Sequence, residues 1–491
     1  MPGQSPRTPI LIGIGTATQR FDDPLQAVEP IELMVRATQA AGRDAGNPAA
    51  LLGVEQISVP RGRWRYGDPG REIARRLCSG NPTTVLAHVG VLQQSLIADA
   101  CECIADGAID LALVVGGEAG YRLRRARGLG VAAPDQPLPG EPDTVLKAKD
   151  ELLHPAELRV GLKSPVSLYA ILESAFRAKS GMSIADHSRR MAQLYSRLSA
   201  IAAENPLAWS RKALTSDDIL ADSPRNPVQA LPYRRLHCAS WNVDQAAALL
   251  LCSEQKARAL GLDDRNWIYP WASTESQHMQ PLTARDDLAA SPGARLAGQA
   301  ALATGGLSLD DIDLLELYSC FPIAIEMFAR ELGAPMTRDL TVTGGMPFAG
   351  GPFNNYVLQA TCRMAEMLRK RPGAKGLASS VSGILTKQAF GLWSSAPPPA
   401  GFHFRDVTAD VARVAPAREV LDQYRGDAEV AGYTVLKDGD ALPRCIVIAD
   451  TEDGRRTVAS SDDPPVVGLL SEIEGCGKRI HVDGTRFALA A

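Results

Sequence analysis

At 491 residues with 45% hydrophobic content and a net charge of −4, the chain is too long for one hydrophobic core and predicts two or three domains. The charge offers no general attraction for nucleic acid or an anionic membrane, and the longest apolar runs, such as Leu111 to Val115, fall far short of the roughly 20 residues of a membrane span. Met1 to Pro9 lacks the apolar region of a secretion signal, and nine thinly spread cysteines read as reduced cytoplasmic thiols. The closest pair, Cys101 and Cys103, points apart on a helix, so no metal site is expected.

In chain order, Pro9 to Thr16 predicts a buried strand ending in glycines. Pro30 to Gly42 follows as a helix with Ile31, Leu33, Met34, Ala37 and Ala41 at helical spacing. Leu52 to Val59 is a loop feeding a second strand. Thr84 to Gly90 turns into an Ala-rich helix (Leu92 to Gly107), and the apolar strand Leu111 to Val115 ends at Gly116-Gly117-Glu118. This alternation argues for a mostly parallel sheet covered by helices. The order then returns. Trp267 to Ser273 corresponds to the first strand, Ala294 to Gly306 to an Ala-rich helix, and Asp310 to Tyr318 to the loop and strand around Val59. Leu340 to Gly345, the helix Tyr356 to Leu368 and the strand Gly376 to Ser382 match the third unit. A duplication is expected.

Tyr121 to about Leu231 differs in character. It is charged, carries a proline-rich piece (Ala133 to Pro142) and shows strong helical patterns over Ser167 to Lys179 and Ile184 to Ala203, as a lid or cap would. Beyond Pro399, short strands are predicted at Ala431 to Leu436, Arg444 to Ala449, Arg456 to Ala459, Arg479 to Val482 and Arg486 to Leu489. Turns at Lys437-Asp438-Gly439, Glu452-Asp453-Gly454 and Asp483-Gly484 separate them. Five strands in so short a stretch suggest a small barrel, with an oligonucleotide/oligosaccharide-binding (OB) type as one candidate.

Several segments together resemble the thiolase family. Asp106 to Glu118 is similar to the stretch in which the helix after the thiolase nucleophile leads into a strand. His237 to Ser253 resembles the exit from the thiolase loop domain through Ala-Ser into an Ala-rich strand. Tyr318-Ser319-Cys320-Phe321-Pro322 resembles the Asn-Glu-Ala-Phe or His-Asp-Cys-Phe motif, and Gly344 to Pro352 the Gly-Gly and Gly-His-Pro region. The likeness covers about residues 8 to 400. The subgroup it points to is the type 1 thiolase-like proteins, relatives of the sterol-carrier-protein-type thiolases with an extra C-terminal domain. The resemblance implies an α/β, duplicated thiolase fold of five layers (αβαβα) with an inserted loop domain and a small β-rich, OB-like C-terminal domain. The expected domains are an N-terminal half over 1–265 with the insert at about 122–231, a C-terminal half over 266–400, and the added domain over 416–491.

Thiolases use one cysteine as the acylated nucleophile, a second to move a proton, and a histidine and a water held by Asn or His to bind thioester oxygens. Carried over by the resemblance, these positions fall on Gly90, Val381 (within Ser380 to Ser382), Gly351 and Tyr318. None holds the expected residue. His88 lies near the first and reads as structural. Tyr318 and Cys320 remain as candidates for altered chemistry, Tyr318 as a hydrogen-bond donor or, with a lowered pKa, as an acid or base. Ser240 matches the thiolase serine that contacts the pantetheine arm. Arg225, Arg234 and Arg235 border the loop domain where the nucleotide end would lie.

The expectation is therefore a CoA- or acyl-CoA-binding protein of lipid metabolism, with no required cofactor and without thiolase condensation or cleavage. One alternative is an acyl-CoA enzyme, a retro-aldol lyase or acyltransferase, using Tyr318 or Cys320. The other is an assembly subunit whose C-terminal domain docks a protein partner; a homodimer through edge strands, as thiolases usually form, stays open. Nucleic acid is not expected. From Arg425 onward acidic residues outnumber basic ones, and after Tyr424 only Tyr433 and Phe487 are aromatic, whereas strand-binding barrels need a basic groove and aromatic platforms.

Overall fold

The computed structural model describes residues 5–148, 150–437 and 442–490. Asp438 and Gly439 of the expected hairpin turn lie outside them.

Two sheets repeat one another. In the first, the strands run Pro9–Thr18, Asp244–Ser253, Leu111–Ala119, Gln56–Pro60, Thr83–Ala87 and Thr144–Leu146 in spatial order. In the second, Tyr269–Ser276, Lys387–Ser394, Lys375–Ser382 and Leu314–Glu316 retrace the first four positions, and His403–Asp406 adds an edge. The directions repeat as well: two antiparallel pairings followed by a parallel one in each half. The sheets are thus mixed where mostly parallel ones were expected. The cause is the strand that returns from the insert, Asp244–Ser253, which threads antiparallel between Pro9–Thr18 and Leu111–Ala119.

Helices complete five layers. Pro30–Asp44 covers the outer face of the first sheet and Pro292–Thr304 that of the second, while Gln93–Ala105 and Tyr356–Leu368 lie between the sheets. A helix with sheet on both sides is buried around most of its girth, which is why Gln93, Gln94 and Ala98 are buried along with Leu96, Ile97 and Cys101. The outer helix sits close enough to its strand that only glycine fits beneath it. A Cβ on Gly15 would lie 2.0 Å from the Ala37 carbonyl oxygen.

The insert forms the helices Pro165–Lys179 and Ile184–Glu204 and a short hairpin, Val228–Ala230 with Tyr233–Arg234. In the C-terminal region five strands close into a barrel. Tyr424–Leu436 pairs with Arg444–Thr451, then Arg456–Ser461, Arg486–Leu489 and Arg479–Gly484 follow, and the last returns to Tyr424–Leu436. A helix, Pro464–Glu472, joins Arg456–Ser461 to Arg479–Gly484.

This barrel is fastened to its own chain. The hairpin extends it through Ala230 opposite Leu436, the Tyr433 amide donates to Ser174 Oγ at 2.9 Å, and Arg456, 2% exposed, donates to the Arg285 and Asp286 carbonyls. Among the described residues no helix is long and apolar enough to cross a membrane.

Candidate functional site

The two central helices begin beside each other. Gln93, at the start of one, accepts at Oε1 from the Val357 amide of the other at 2.8 Å and donates through Nε2 to Asn354 Oδ1 at 3.3 Å. Two helix N-termini so placed favour a developing negative charge between them. Gly90, which the resemblance aligns with the thiolase nucleophile, lies just before this point, where a side chain would be strained. Its φ is +103°, and an added Cβ would stand 2.7 Å from Ala148 Cβ. Ala148 arrives there because Thr144–Leu146 pairs in parallel with Thr83–Ala87, a short strand that sequence patterning missed since three residues carry no readable period. Lys387, 3% exposed, donates from Nζ to the Gly90 carbonyl at 2.8 Å. Burial pushes its ammonium below the usual range, while Asp150 and Glu275 pull it back. Lys387 also pairs in register with Ser382, so it ties the end of the strand carrying Val381 to Gly90.

Ser240 and Gly351 are brought together: the Gly351 amide donates to the Ser240 carbonyl at 3.0 Å, and the Ser240 amide to the Met346 carbonyl at 3.1 Å. Cys320 joins them through its carbonyl, which accepts from the Ala239 amide at 3.1 Å. A Cβ on Gly351 would approach Met346 Cε to 2.9 Å. The Tyr318 amide donates to Ser379 Oγ at 2.8 Å. Burial raises the Tyr318 hydroxyl above its ordinary pKa, which suits a donor and not a base. Burial likewise pushes the Cys320 thiol up to about 12, and the rings around it stack: Tyr169 and Tyr233 lie 4.6 and 5.4 Å from Phe321. Cys101 is fully buried within the central helix.

The arginines are dispersed. Arg225 and Arg235 are exposed, and Arg234 is held by Asp222 at 3.1 Å. Arg234 does line a cavity of about 280 Å³ between the insert and the barrel, with His237, Arg177 and Tyr433. Arg177 is occupied there, paired with Glu474 at 2.9 Å. His88 stands 3.4 Å from Arg61; burial and then Arg61 and Lys147 lower its pKa. His237 is buried, accepts at Nδ1 from the Arg234 amide at 3.1 Å, and is pushed down to about 4 by burial, so it is neutral.

One cluster had no sequence signal: Glu173, His187 and Glu326, all fully buried, present ligand atoms within 4.8 Å of one another. They come from three helices far apart in the chain, so no motif spacing announces them.

No protein-family model matches the chain. A monomeric SCP2-thiolase-like protein type 1 from Mycobacterium smegmatis is similar over 99% of this chain and 100% of that one, with 27% identity and a TM-score of 0.84. This chain belongs to the thiolase superfamily. The Ltp2–ChsH2(DUF35) aldolase shares the superfamily fold over 79% of the chain at a TM-score of 0.61 and 18% identity. In sequence, an acetyl-CoA acetyltransferase of Syntrophomonas wolfei is 30% identical over 137 residues, which is 28% of this chain and 32% of that protein. The match therefore spans about a third of that relative's length.

Proposed function

We propose that this protein binds CoA or an acyl-CoA of lipid metabolism on a thiolase scaffold and does not carry out thiolase condensation or cleavage. The observation that carries the reading is Gly90. The position that the resemblance aligns with the nucleophile lacks a thiol, and its left-handed backbone and the nearby Ala148 oppose a side chain there. The other three catalytic positions hold Gly351, Val381 and Tyr318, and the buried Cys320 thiol remains protonated. Ser240 supports the binding half of the reading. It sits against Gly351 at the site, and Arg234 and its cavity lie a few residues away for the anionic end of the ligand. The free cysteines support a reducing, cytoplasmic setting.

A retro-aldol reading would need Tyr318 to exchange a proton, and its raised pKa opposes the base role. A docking role for the barrel competes with the contacts that the barrel already makes to its own insert. The edge beside Thr83–Ala87 is covered by Thr144–Leu146, which supports a chain that does not pair with a second copy there.

Calorimetric titration with CoA, run beside a thiolysis assay on acetoacetyl-CoA, tests the proposal. Binding that Ser240→Ala weakens roughly tenfold, the value of one lost hydrogen bond, is expected, with no thiolytic turnover. Turnover would sink the non-catalytic half, and no heat of binding would sink the other.

A further inference from the structure

The cluster of Glu173, His187 and Glu326 lies apart from the thiolase positions and joins three elements. Glu173 stands on Pro165–Lys179, His187 on Ile184–Glu204, and Glu326 on Pro322–Leu332 of the C-terminal half. Two carboxylates without solvent are costly unless something cationic stands between them.

Their oxygens are sorted. Glu173 Oε2 accepts from the Tyr233 hydroxyl at 2.6 Å, and Glu326 Oε1 lies 3.3 Å from Arg190 Nε. That leaves Glu173 Oε1 and Glu326 Oε2 facing His187 Nε2, at 3.0 and 3.7 Å. The Tyr233 hydroxyl thus holds one Glu173 oxygen as an outer partner of a ligating carboxylate does, while Glu326 Oε1 has the Arg190 guanidinium beside it without a hydrogen bond.

The inner contacts are not hydrogen bonds. Among the described residues, His187 Nε2, Glu173 Oε1 and Glu326 Oε2 are all buried without a hydrogen-bond partner, although the distances would allow one. The carboxylate oxygens therefore lie off the imidazole N–H direction. Ligand atoms about 2.1 Å from a shared ion stand roughly 3 to 3.5 Å apart at tetrahedral or octahedral angles. The 3.0 Å separation falls within that range, the 3.7 Å one lies just beyond it, and all three ligand atoms lie within 4.8 Å of one another.

We propose that Glu173, His187 and Glu326 bind one divalent transition-metal ion, of the zinc or manganese class that accepts imidazole with carboxylates, and that the ion pins the inserted helices to the C-terminal half. The alternative occupant is a bare imidazolium bridging the two carboxylates.

The experiment uses untagged full-length protein, dialysed against metal-free buffer, stripped with a chelator and titrated with Mn²⁺. About one equivalent of Mn²⁺ should lose its free six-line electron-paramagnetic-resonance signal. Manganese is the probe because the nine thiols bind zinc adventitiously but hold Mn²⁺ poorly. Saturating Mn²⁺ or Zn²⁺ should raise Tm by roughly 3 °C or more over the stripped protein. Glu173→Gln and His187→Gln should abolish both effects. Mn²⁺ that stays free, with a Tm indifferent to metal and chelator, overturns the proposal in favour of the imidazolium. Should the variants fail to fold, the titration of the unaltered protein still decides.

Discussion

Two regions of this molecule contrast in what their side chains do. Around Gly90 and Gly351, which the resemblance aligns with reactive groups of thiolases, an added Cβ meets Ala148 at 2.7 Å in one case and Met346 at 2.9 Å in the other. Around His187, where no chemistry was expected, three titratable groups are fully buried with inner atoms that, among the described residues, have no hydrogen-bond partner. The first region is, on our proposal, chemically silent. The second is chemically loaded and costly to leave as it stands. The lesson is that a scaffold's inherited site and the place where a chain now concentrates its polar free energy need not coincide.

The largest effect should come from trying to undo the first half of that contrast. Gly90→Cys forces a side chain onto a φ of +103° and into Ala148. Strain of about 1–3 kcal/mol and overpacking of a similar size add up to a loss of roughly 4 kcal/mol in denaturant unfolding. No thiolysis should return, because the new thiol cannot sit where the helix N-termini would activate it. A stable Gly90→Cys protein with thiolytic turnover would show that the site is vacant and not closed.

Much of the scaffold was legible before any coordinates. The repeated strand–helix order, the five barrel strands and the Ala239-Ser240 exit are written in local periodicity and motif spacing, since each depends on neighbours in the chain. What could not be read depends on distant partners. Thr144–Leu146 is too short to show a period and becomes a strand only because Thr83–Ala87 offers it an edge. Lys387 looks like any lysine in a strand until its amine meets the Gly90 carbonyl. Glu173, His187 and Glu326 meet only once three helices pack. The helix Pro464–Glu472, which opens on two prolines, was not expected between the strands Arg456 to Ala459 and Arg479 to Val482.

A smaller effect, reported through pH, tests whether the polar side is as dry as its geometry indicates. His237 is held neutral by burial, its pKa lowered to about 4 from the usual 6.5. The unfolded chain takes up that proton first, so the stability tied to neutral His237 is complete above about pH 6.5 and drains away as pH falls toward 4. The lowering corresponds to about 3 kcal/mol. His237→Asn keeps an acceptor for the Arg234 amide and cannot titrate. Between pH 7.5 and 4, the unaltered protein should therefore lose about 3 kcal/mol relative to the variant in parallel urea unfolding series. Profiles that run parallel would mean water reaches the ring.

The sharpest form of the comparison is the smallest: one hydroxyl removed from each region. Tyr233 donates to a Glu173 oxygen at 2.6 Å, and Tyr233→Phe leaves that buried carboxylate oxygen bare. A hydrogen bond to a charged, solvent-free acceptor makes this a loss of about 2 kcal/mol. Tyr318, at the position the resemblance aligns with the water-holding Asn or His of thiolases, contributes its amide to Ser379, and that contact survives Tyr318→Phe. Its loss should stay within roughly 0.5 kcal/mol, as for substitutions that break no buried polar pairing, and CoA affinity should change less than twofold. A Tyr318→Phe protein as damaged as Tyr233→Phe would show that the hydroxyl still holds something in the inherited site, and the division between a silent region and a loaded one would fail there first.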